Sequence, residues 1–292
     1  MPPAQSTARS FLYVPGDRRD RIDGAASRGA DALILDLEDA VPVARKEVAR
    51  QTVARWLGEE GPGPPELWVR INAGSAGADI SACVTGRVTG LVAPKAEVRL
   101  LAEVDELLAA QEAMLGVPRG RFAVLALIET AAGLLSAPEV TAAARVVRLG
   151  LGEVDLAADL GLVVTESRAE MAPLRLQLVV ASAAAGITAP AGPTSTDFRD
   201  LDALRASTRA LFRLGFRGRT AIHPAQLPVI NEVFSPTPEE VEAARQLVAA
   251  YEDAVREGRG VLTDDRGRMV DVAVVRSARD LLARAERATT TT

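Results

Sequence analysis

The fold of this chain is decided by two stretches of sequence, Phe122-Ala-Val-Leu-Ala-Leu-Ile-Glu-Thr130 and Val146-Val-Arg-Leu-Gly-Leu-Gly-Glu-Val-Asp155. Each is a nearly continuous apolar run that ends close to an acidic residue. Such runs are typical of parallel strands that are buried on both faces of a sheet. A helical segment lies between the two runs, so together they predict a β–α–β unit in which each strand leads to a carboxylate.

The same pattern recurs along the chain and predicts a closed (β/α)₈ barrel, the TIM-barrel fold, because short apolar runs alternate with longer helical patterns. We assign residues 1–235 to this catalytic barrel domain. The predicted strands are Phe11–Val14, Ala32–Asp36, Leu67–Ile71, Gly90–Ala93, Phe122–Ile128, Val146–Leu151, Gly186–Pro190 and Thr220–Ile222. The predicted helices include Asp17–Arg28, Val43–Leu57, Glu97–Leu115, Glu166–Ala185 and Asp200–Leu214.

The segment after the barrel, residues 236–292, is predicted to form a C-terminal helical extension that serves as a lid or a subunit clasp. Thr237 or Pro238 is expected to start a helix that ends near Glu257, because both residue types are favoured at helix N-termini. Asp264-Asp-Arg-Gly resembles a hairpin turn, and a last amphipathic helix is expected from about Ala273 to Ala288.

Composition argues against several classes of protein. The formal charge is −5 and no long basic stretch occurs, which argues against a nucleic-acid partner. No uncharged apolar stretch is long enough to span a membrane, and the N-terminus lacks the pattern of a signal peptide, so we expect a cytoplasmic protein. The single histidine, His223, and the single cysteine, Cys83, exclude a metal held by several such side chains and are interpreted as structural. Hard oxygen ligands remain as the route to a metal site.

Polar side chains cluster where the predicted strands end. In barrel enzymes the C-terminal rim carries the active site, so groups from five separate strands are expected to converge on one pocket. These residues are Asp36, Glu38, Asp39, Arg70, Asn72, Lys95, Glu129, Thr130, Glu153 and Asp155.

Glu129 and Asp155 are predicted to hold Mg²⁺. Glu129 follows a deeply apolar strand, where a carboxylate is costly unless a cation or hydrogen-bond donors compensate it. Two carboxylates from adjacent strands, completed by waters and substrate oxygens, form a typical Mg²⁺ site. The alternative is that each acid caps a helix, since each precedes a helical stretch.

The other rim residues have two interpretations each. Arg70 ends an apolar strand and either stabilises an enolate or carbonyl oxygen or forms a fixed ion pair with Glu38. Asp36 and Glu38 share one face of their strand and are interpreted as groups that orient Arg70 or metal-bound waters. The alternative is that Asp39 caps a helix and Glu38 forms a structural salt bridge. Lys95 is expected to be a charged, paired lysine rather than a Schiff-base former.

Several stretches of the chain carry a resemblance to a known family. They are Arg9-Ser-Phe-Leu-Tyr-Val-Pro-Gly-Asp-Arg18, Leu35-Asp-Leu-Glu-Asp-Ala-Val41, Val69-Arg-Ile-Asn72, Ala93-Pro-Lys-Ala-Glu97, Leu127-Ile-Glu-Thr130 with Gly133, Gly152-Glu-Val-Asp-Leu156, and Gly215-Phe-Arg-Gly-Arg-Thr-Ala-Ile-His-Pro-Ala-Gln226. In this order they resemble the citrate lyase beta-subunit-like branch of the HpcH/HpaI aldolase superfamily, whose members are CoA-ester lyases. The resemblance covers nearly the whole chain.

This resemblance implies a Mg²⁺-dependent carbon–carbon lyase that acts on a small 3-hydroxyacyl-CoA ester such as citryl-, malyl- or citramalyl-CoA. Glu129 and Asp155 match the metal carboxylates. Arg70 matches the arginine that binds substrate or stabilises the enolate, and we count Glu38 with it as a catalytic residue. The residues assigned to the binding of CoA are Tyr13, Pro15, Arg18 and Lys95.

The resemblance also implies a homo-oligomer, a trimer or a multiple of it, in which a lid aspartate reaches a neighbouring subunit's active site. Gly267-Arg-Met-Val-Asp271 matches that lid motif, so Asp271 is a candidate general acid or base in trans. The alternative is that Asp271 caps the terminal helix. One departure from the family is Gly192, near a position where relatives commonly carry an aspartate, and it is expected to change the pocket wall.

Two other activities stay open at this point. One is malate-synthase-like or acyl-CoA thioesterase activity on the same esters, because such enzymes share this site. The other is a citrate lyase beta subunit that works only in a carrier-protein complex, although the C-terminal extension favours a stand-alone enzyme. The expected partners are a CoA thioester and an oxo acid, without nucleic acid or membrane.

Overall fold

The computed structural model describes residues 5–59, 66–263 and 267–290, with side chains as far as Glu286. Eight parallel strands close on each other in chain order, and the first pairs directly with the last, so the predicted (β/α)₈ barrel is confirmed. The strands are β1 (Ser10–Pro15), β2 (Ala32–Asp36), β3 (Glu66–Arg70), β4 (Gly90–Ala93), β5 (Ala123–Ile128), β6 (Val146–Leu151), β7 (Thr188–Gly192) and β8 (Gly218–Ala221).

Helices follow the strands of the barrel, and in several β–α units more than one short helix replaces a single long one. They are α1 (Arg19–Ala25), α2 (Lys46–Gly58), α3 (Ala76–Cys83), α4 (Val98–Leu115), α5 (Ala131–Leu135), α6 (Ala137–Ala142), α7 (Glu153–Asp159), α8 (Ala172–Ala185), α9 (Leu201–Leu214) and α10 (Leu227–Phe234).

Several predicted boundaries differ from the structure by a few residues, and two of the differences have identifiable reasons. The helix expected from Glu166 begins at Ala172, where Pro173 occupies the first turn, a position that needs no backbone N–H. The strand expected from Gly186 begins at Thr188. Gly186 has a φ of 68° and ends α8 in the left-handed conformation, so it belongs to the helix cap rather than to the strand.

The barrel interior is filled by large apolar side chains. Phe11 and Trp68 meet edge to face with ring centroids 6.4 Å apart, and Ile34 packs in the same cluster. Gly90 makes room for the indole, because a Cβ there would lie 2.8 Å from the Trp68 ring and 2.2 Å from the Ala123 carbonyl oxygen. These contacts fix the strand positions on which the rim depends.

Strand register brings the predicted rim residues to neighbouring positions. Asp36 pairs with Arg70 across β2 and β3, and Ile128 pairs with Leu151 across β5 and β6. The residues that follow the second pair, Glu129 and Gly152, therefore begin their loops side by side.

A buried ion pair braces the opposite end of β5. Both carboxylate oxygens of Glu112 accept hydrogen bonds from Arg145, at 2.6 and 2.9 Å, and from the backbone N–H groups of Gly120 and Phe122. Glu112 is 1% exposed and Arg145 is 6% exposed. Burial alone would raise the pKa of Glu112, but the arginine and the two N–H groups lower it below its ordinary value. The pair therefore stabilises the barrel while Glu112 is ionised.

Replacing Glu112 by glutamine should lower the free energy of unfolding by about 3 kcal/mol near neutral pH, because it breaks a buried ion pair. A carboxylate with a lowered folded-state pKa stabilises above its unfolded value of 4.5 and loses that contribution as the pH falls. Urea unfolding of both proteins at about pH 7 and about pH 3 measures the difference, which should shrink in acid. Equal differences at the two pH values would contradict this role.

The second compact unit of the chain begins at Val233, after the barrel unit ends at Glu232. In it α11 (Pro238–Arg256) and α12 (Val272–Thr290) pack against each other, and β9 (Leu262–Thr263) pairs antiparallel with β10 (Met269–Val270). Thr237 caps α11 by accepting the Glu240 N–H, with Pro238 in the first turn, which confirms the predicted start of this helix.

The predicted hairpin-like turn at Asp264 falls on residues 264–266, which lie outside the described residues. Among the residues that the structure describes, no helix is both long and apolar enough to cross a bilayer.

Candidate active site

Arg70 is held at the end of β3 by three carboxylates. Its Nε and Nη2 donate to Asp36 at 2.8 and 2.6 Å, and its Nη1 lies 2.9 Å from Glu38 Oε2 and 3.2 Å from Asp39 Oδ2. Asp36 also accepts the backbone N–H groups of Glu38 and Ala40, so Asp36 rather than Asp39 closes this turn. Burial would lower the pKa of Arg70, but the bond to Asp36 and the surrounding charges raise it overall. Arg70 is therefore a fixed, charged guanidinium.

Tyr13 lies beside Arg70 and packs on the apolar cluster of the barrel interior. The guanidinium carbon is 4.8 Å from the centroid of the Tyr13 ring, a cation–π contact. Burial raises the pKa of the Tyr13 phenol, while the Arg70 charge opposes that rise. Of the other two predicted residues of this segment, Pro15 ends β1 opposite Asp36, and Arg18 is exposed and paired with Asp20 at 2.8 Å.

Glu129 is a buried carboxylate at the end of β5, with 2% exposure. Its Oε1 accepts the backbone N–H of Lys95 at 2.7 Å and lies 3.9 Å from the Lys95 ammonium. Burial raises its pKa to about 7. The Lys95 N–H opposes this rise, and the charges of Glu38 and Asp155 add to it. Glu129 is not a helix cap, since Thr130 caps α5 by accepting the Gly133 N–H.

Lys95 connects the two carboxylates of β2 and β5. Its Nζ lies 3.3 Å from Glu38 Oε1, and its backbone N–H donates to Glu129. Lys95 itself has a φ of 46°, a conformation that residues with a side chain rarely adopt. Burial would lower the pKa of Lys95, but Glu38 and Glu129 raise it overall. The lysine therefore stays charged, which agrees with a paired lysine and not with a Schiff-base former.

Gly152 and Asp155 lie across from Glu129. A Cβ at Gly152 would lie 2.5 Å from Glu129 Oε2 and 2.7 Å from its Cβ, so only glycine permits this approach. Asp155 is an exposed residue in the first turn of α7, and its charge raises the pKa of Glu129. Its side chain does not cap the helix, because the N-cap position belongs to Gly152.

The pair Glu129 and Asp155 suits a divalent cation. Their like charges oppose each other, and a buried carboxylate is stabilised by a cation in the same way as by a proton. No group of three or more His, Cys, Asp or Glu side chains that could hold a metal occurs within the described ranges. Mg²⁺ needs no such cage, because it is usually held by one or two carboxylates and keeps several waters.

Glu38 completes the cluster. Its Oε2 is buried and has no hydrogen-bond partner in the described part of the chain, although Arg70 Nη1 is 2.9 Å away, because the two groups are not aligned. Burial raises the pKa of Glu38, and the Arg70 charge opposes that rise. One oxygen of this acid thus remains available for a ligand or a proton.

Three other residues singled out in the sequence make contacts of a structural kind. Asp271 Oδ1 accepts the N–H groups of Ala273 and Val274 and so caps α12, as the alternative interpretation expected. A Cβ at Gly192 would lie 2.7 Å from Leu211 of α9, so a side chain at this position would point toward the helix layer, and the expectation about the pocket wall near it stays a prediction. His223 accepts the Ala225 N–H and stacks on Phe198, which suits a structural residue.

Sequence reasoning missed two contributions to the cluster. The Lys95 backbone N–H requires a positive φ at a lysine, which no residue pattern signals. Lys46 donates to the carbonyl oxygens of Leu37 and Glu38 at 2.8 and 2.6 Å and fixes the loop after β2 from α2. A lysine at the start of a helix gave no sign of that role.

A closed barrel whose rim combines paired carboxylates with a fixed arginine is the arrangement of a metal-assisted barrel enzyme. Residues 9–224 match the family described as HpcH/HpaI aldolase/citrate lyase. The chain belongs to this family, and the predicted enzyme class, a carbon–carbon lyase of the citrate lyase type, is confirmed.

Individual relatives agree with this membership over nearly their full lengths. The chain is 35% identical to (3S)-malyl-CoA thioesterase of Cereibacter sphaeroides (strain KD131 / KCTC 12085), covering 95% of this chain and 94% of that one. It is 32% identical to citrate lyase subunit beta of Leuconostoc mesenteroides subsp. cremoris, covering 94% and 92%. The crystal structure of CitE from Mycobacterium tuberculosis with magnesium, acetoacetate and coenzyme A is similar with a TM-score of 0.77 and 31% identity, covering 97% of this chain and 100% of that one.

Replacing Gly152 by alanine should weaken the binding of a divalent cation at least tenfold, on the order seen when groups that orient metal ligands are changed. The added Cβ would occupy the position of the Glu129 carboxylate and displace it. Calorimetric titration with Mg²⁺ measures the affinity, and circular dichroism checks that the fold is kept. Unchanged affinity in a folded G152A variant would show that Glu129 is not a ligand in this position.

Proposed function

We propose that this protein is a magnesium-dependent lyase that cleaves, or forms, a carbon–carbon bond in a small 3-hydroxyacyl-CoA ester such as malyl-, citramalyl- or citryl-CoA. The observation that carries the proposal is the Glu129 carboxylate, which is buried, close to Asp155 and left with a raised pKa. A bound cation removes that penalty. The magnesium and coenzyme A in the related CitE structure support the same cofactor and ligand class.

Glu129 and Asp155 are proposed to hold the ion. When bound, Mg²⁺ supplies Lewis-acid polarisation of the substrate's oxygens. Arg70 supplies a guanidinium that Asp36 already holds in place before substrate arrives, so little reorganisation is needed when negative charge develops on an oxygen beside it. The residues proposed for the CoA side of the pocket are Tyr13, Pro15, Arg18 and Lys95.

The proposed cleavage balances as follows. The 3-hydroxyl group loses its proton, the bond between C2 and C3 breaks, and its electron pair moves onto the thioester as an enolate. C3 leaves as the carbonyl carbon of an oxo acid, and the enolate takes a proton at C2 to give the shorter acyl-CoA. Glu38, with a raised pKa and one buried oxygen that makes no hydrogen bond, and Asp271 are the candidate groups for accepting the hydroxyl proton as a base and donating the proton at C2 as an acid.

Glu129→Gln and Asp155→Asn should each reduce cleavage at least about 100-fold without unfolding the protein, because each removes a charged ligand of the ion. The purified chain is incubated with each CoA ester, with Mg²⁺ and with excess EDTA, and the oxo acid and the acyl-CoA product are measured. Full turnover in EDTA, or in both variants, would refute the metal site.

Thioesterase activity on the same esters is the second candidate, favoured by the 35% identity to (3S)-malyl-CoA thioesterase. The products separate the two reactions, because a lyase releases an oxo acid and an acyl-CoA, whereas a thioesterase releases a hydroxy acid and free CoA. Turnover by the isolated chain would also argue against a subunit that needs a carrier-protein complex.

Asp271 is proposed to act in a neighbouring subunit of a homo-oligomer, a trimer or a multiple of it, in addition to capping α12. Mixing D271N with E129Q under conditions of subunit exchange should restore part of the activity, because some sites then combine an intact metal centre with an intact lid. An inactive mixed oligomer, or full activity of D271N alone, would leave Asp271 with the capping role. The cytoplasmic location stays a prediction from the sequence.

A further inference from the structure

Glu153 is a buried carboxylate at the rim that the proposed reaction does not use. It is the first residue of α7 and is 3% exposed. Its Oε1 accepts from Arg175 of α8 at 2.5 Å, and its Oε2 accepts from Arg168 at 3.1 Å. Arg219 of β8 is close enough that the Glu153 charge raises its pKa, although burial, the larger effect, lowers the Arg219 pKa to about 10. Glu153 thus anchors the start of α7 in a cluster of arginines.

Both ends of α7 are also tied to the loop that carries Glu129. The Gly152 N–H donates to the Ile128 carbonyl oxygen at 2.9 Å, and Asp159 Oδ2 accepts the Ala131 N–H at 2.7 Å. These two bonds fix the distance between α7 and the end of β5. The buried side chains of α7 are Glu153, Leu156 and Ala157, and Glu153 is the one of them that is bonded to the next helix, α8.

Asp155 depends on the orientation of α7. It lies two residues after Glu153 in the same first turn and is exposed, and its carboxylate forms no hydrogen bond within the described ranges. No side-chain partner therefore directs Asp155, and its direction follows from the backbone of α7. A helix of seven residues has little stability of its own, so its orientation depends on contacts with its surroundings.

We propose that Glu153 is a positioning residue for the metal site: its ion pairs with Arg175 and Arg168 hold the first turn of α7 so that Asp155 faces Glu129 and the cation. This inference rests on the proposed function, because it requires that Glu129 and Asp155 bind the metal. Removing Arg175 leaves the Glu153 carboxylate with only the half-exposed Arg168, and removing Glu153 leaves the Arg175 guanidinium without its carboxylate, so either change loosens the first turn of α7.

The test is a titration of the purified full-length protein with Mn²⁺, in which electron paramagnetic resonance measures the free ion. Glu153→Gln and Arg175→Gln should each weaken Mn²⁺ binding about 10- to 100-fold, the range typical of groups that orient metal ligands. The double variant should lose no more Mn²⁺ affinity than the single variant with the larger loss, because both residues act through one contact.

The two single variants also separate positioning from simple electrostatics. Glu153→Gln removes a negative charge near the site and would weaken cation binding through charge alone. Arg175→Gln removes a positive charge and would tighten it through charge alone. A positioning role predicts weaker binding in both variants. Tighter or unchanged binding in R175Q, or unchanged binding in E153Q, overturns the proposal.

Glu112→Gln is the matched control, because it breaks an equally buried glutamate–arginine pair at the opposite end of β5. It should lower the melting temperature as Glu153→Gln does and leave the Mn²⁺ affinity unchanged. Equal losses of affinity in E112Q and E153Q would show that Glu153 has only a general stabilising role.

If R175Q does not fold, Arg168→Gln, at the half-exposed partner of Glu153, replaces it. Unchanged Mn²⁺ affinity in that folded variant would likewise count against the proposal.

Wild type and E129Q belong in the same titration. Wild-type protein that binds no Mn²⁺, or E129Q that binds it normally, would contradict the proposed metal site. Wild type that binds and E129Q that does not, together with normal affinity in E153Q and R175Q, would contradict the role of Glu153 alone.

Discussion

The burial of the Glu129 carboxylate is the constraint on which the site depends. β5 is apolar along its whole length and places this carboxylate where water cannot solvate it, so its pKa rises to about 7. The surroundings compensate the charge in part, through the Lys95 N–H and the Lys95 ammonium. Gly152 packs closely against this carboxylate, and the charge of Asp155 adds to the rise of its pKa, which a bound cation would oppose.

The closed barrel converts this local constraint into a shared site. Register sets Asp36 beside Arg70, and the neighbouring carboxylates Glu38 and Asp39 surround the same guanidinium. Glu38 contacts Lys95, and Lys95 contacts Glu129, so these two residues connect the arginine cluster to Glu129 along the rim of the barrel. Positive and negative groups therefore alternate around the rim, and each side chain is held before a ligand arrives.

The fold and most of the cluster follow from the sequence, because apolar strands that end in charged residues have few alternative arrangements. The convergence of Arg70, Glu38 and Glu129 is of this kind. Features that depend on backbone conformation or on distant contacts were not predictable, such as the positive φ of Lys95 and the shift of β7 that follows from the Gly186 cap.

The central claim is that Glu129 and Asp155 form a cation site next to a fixed Arg70. A crystal structure of the protein grown with Mn²⁺ and a CoA thioester, with anomalous data that locate the ion, tests it most directly. The account predicts a peak in contact with both carboxylates and a substrate oxygen within hydrogen-bonding distance of Arg70. A peak at other residues, or an ordered CoA ester with no ion beside Glu129, would contradict it.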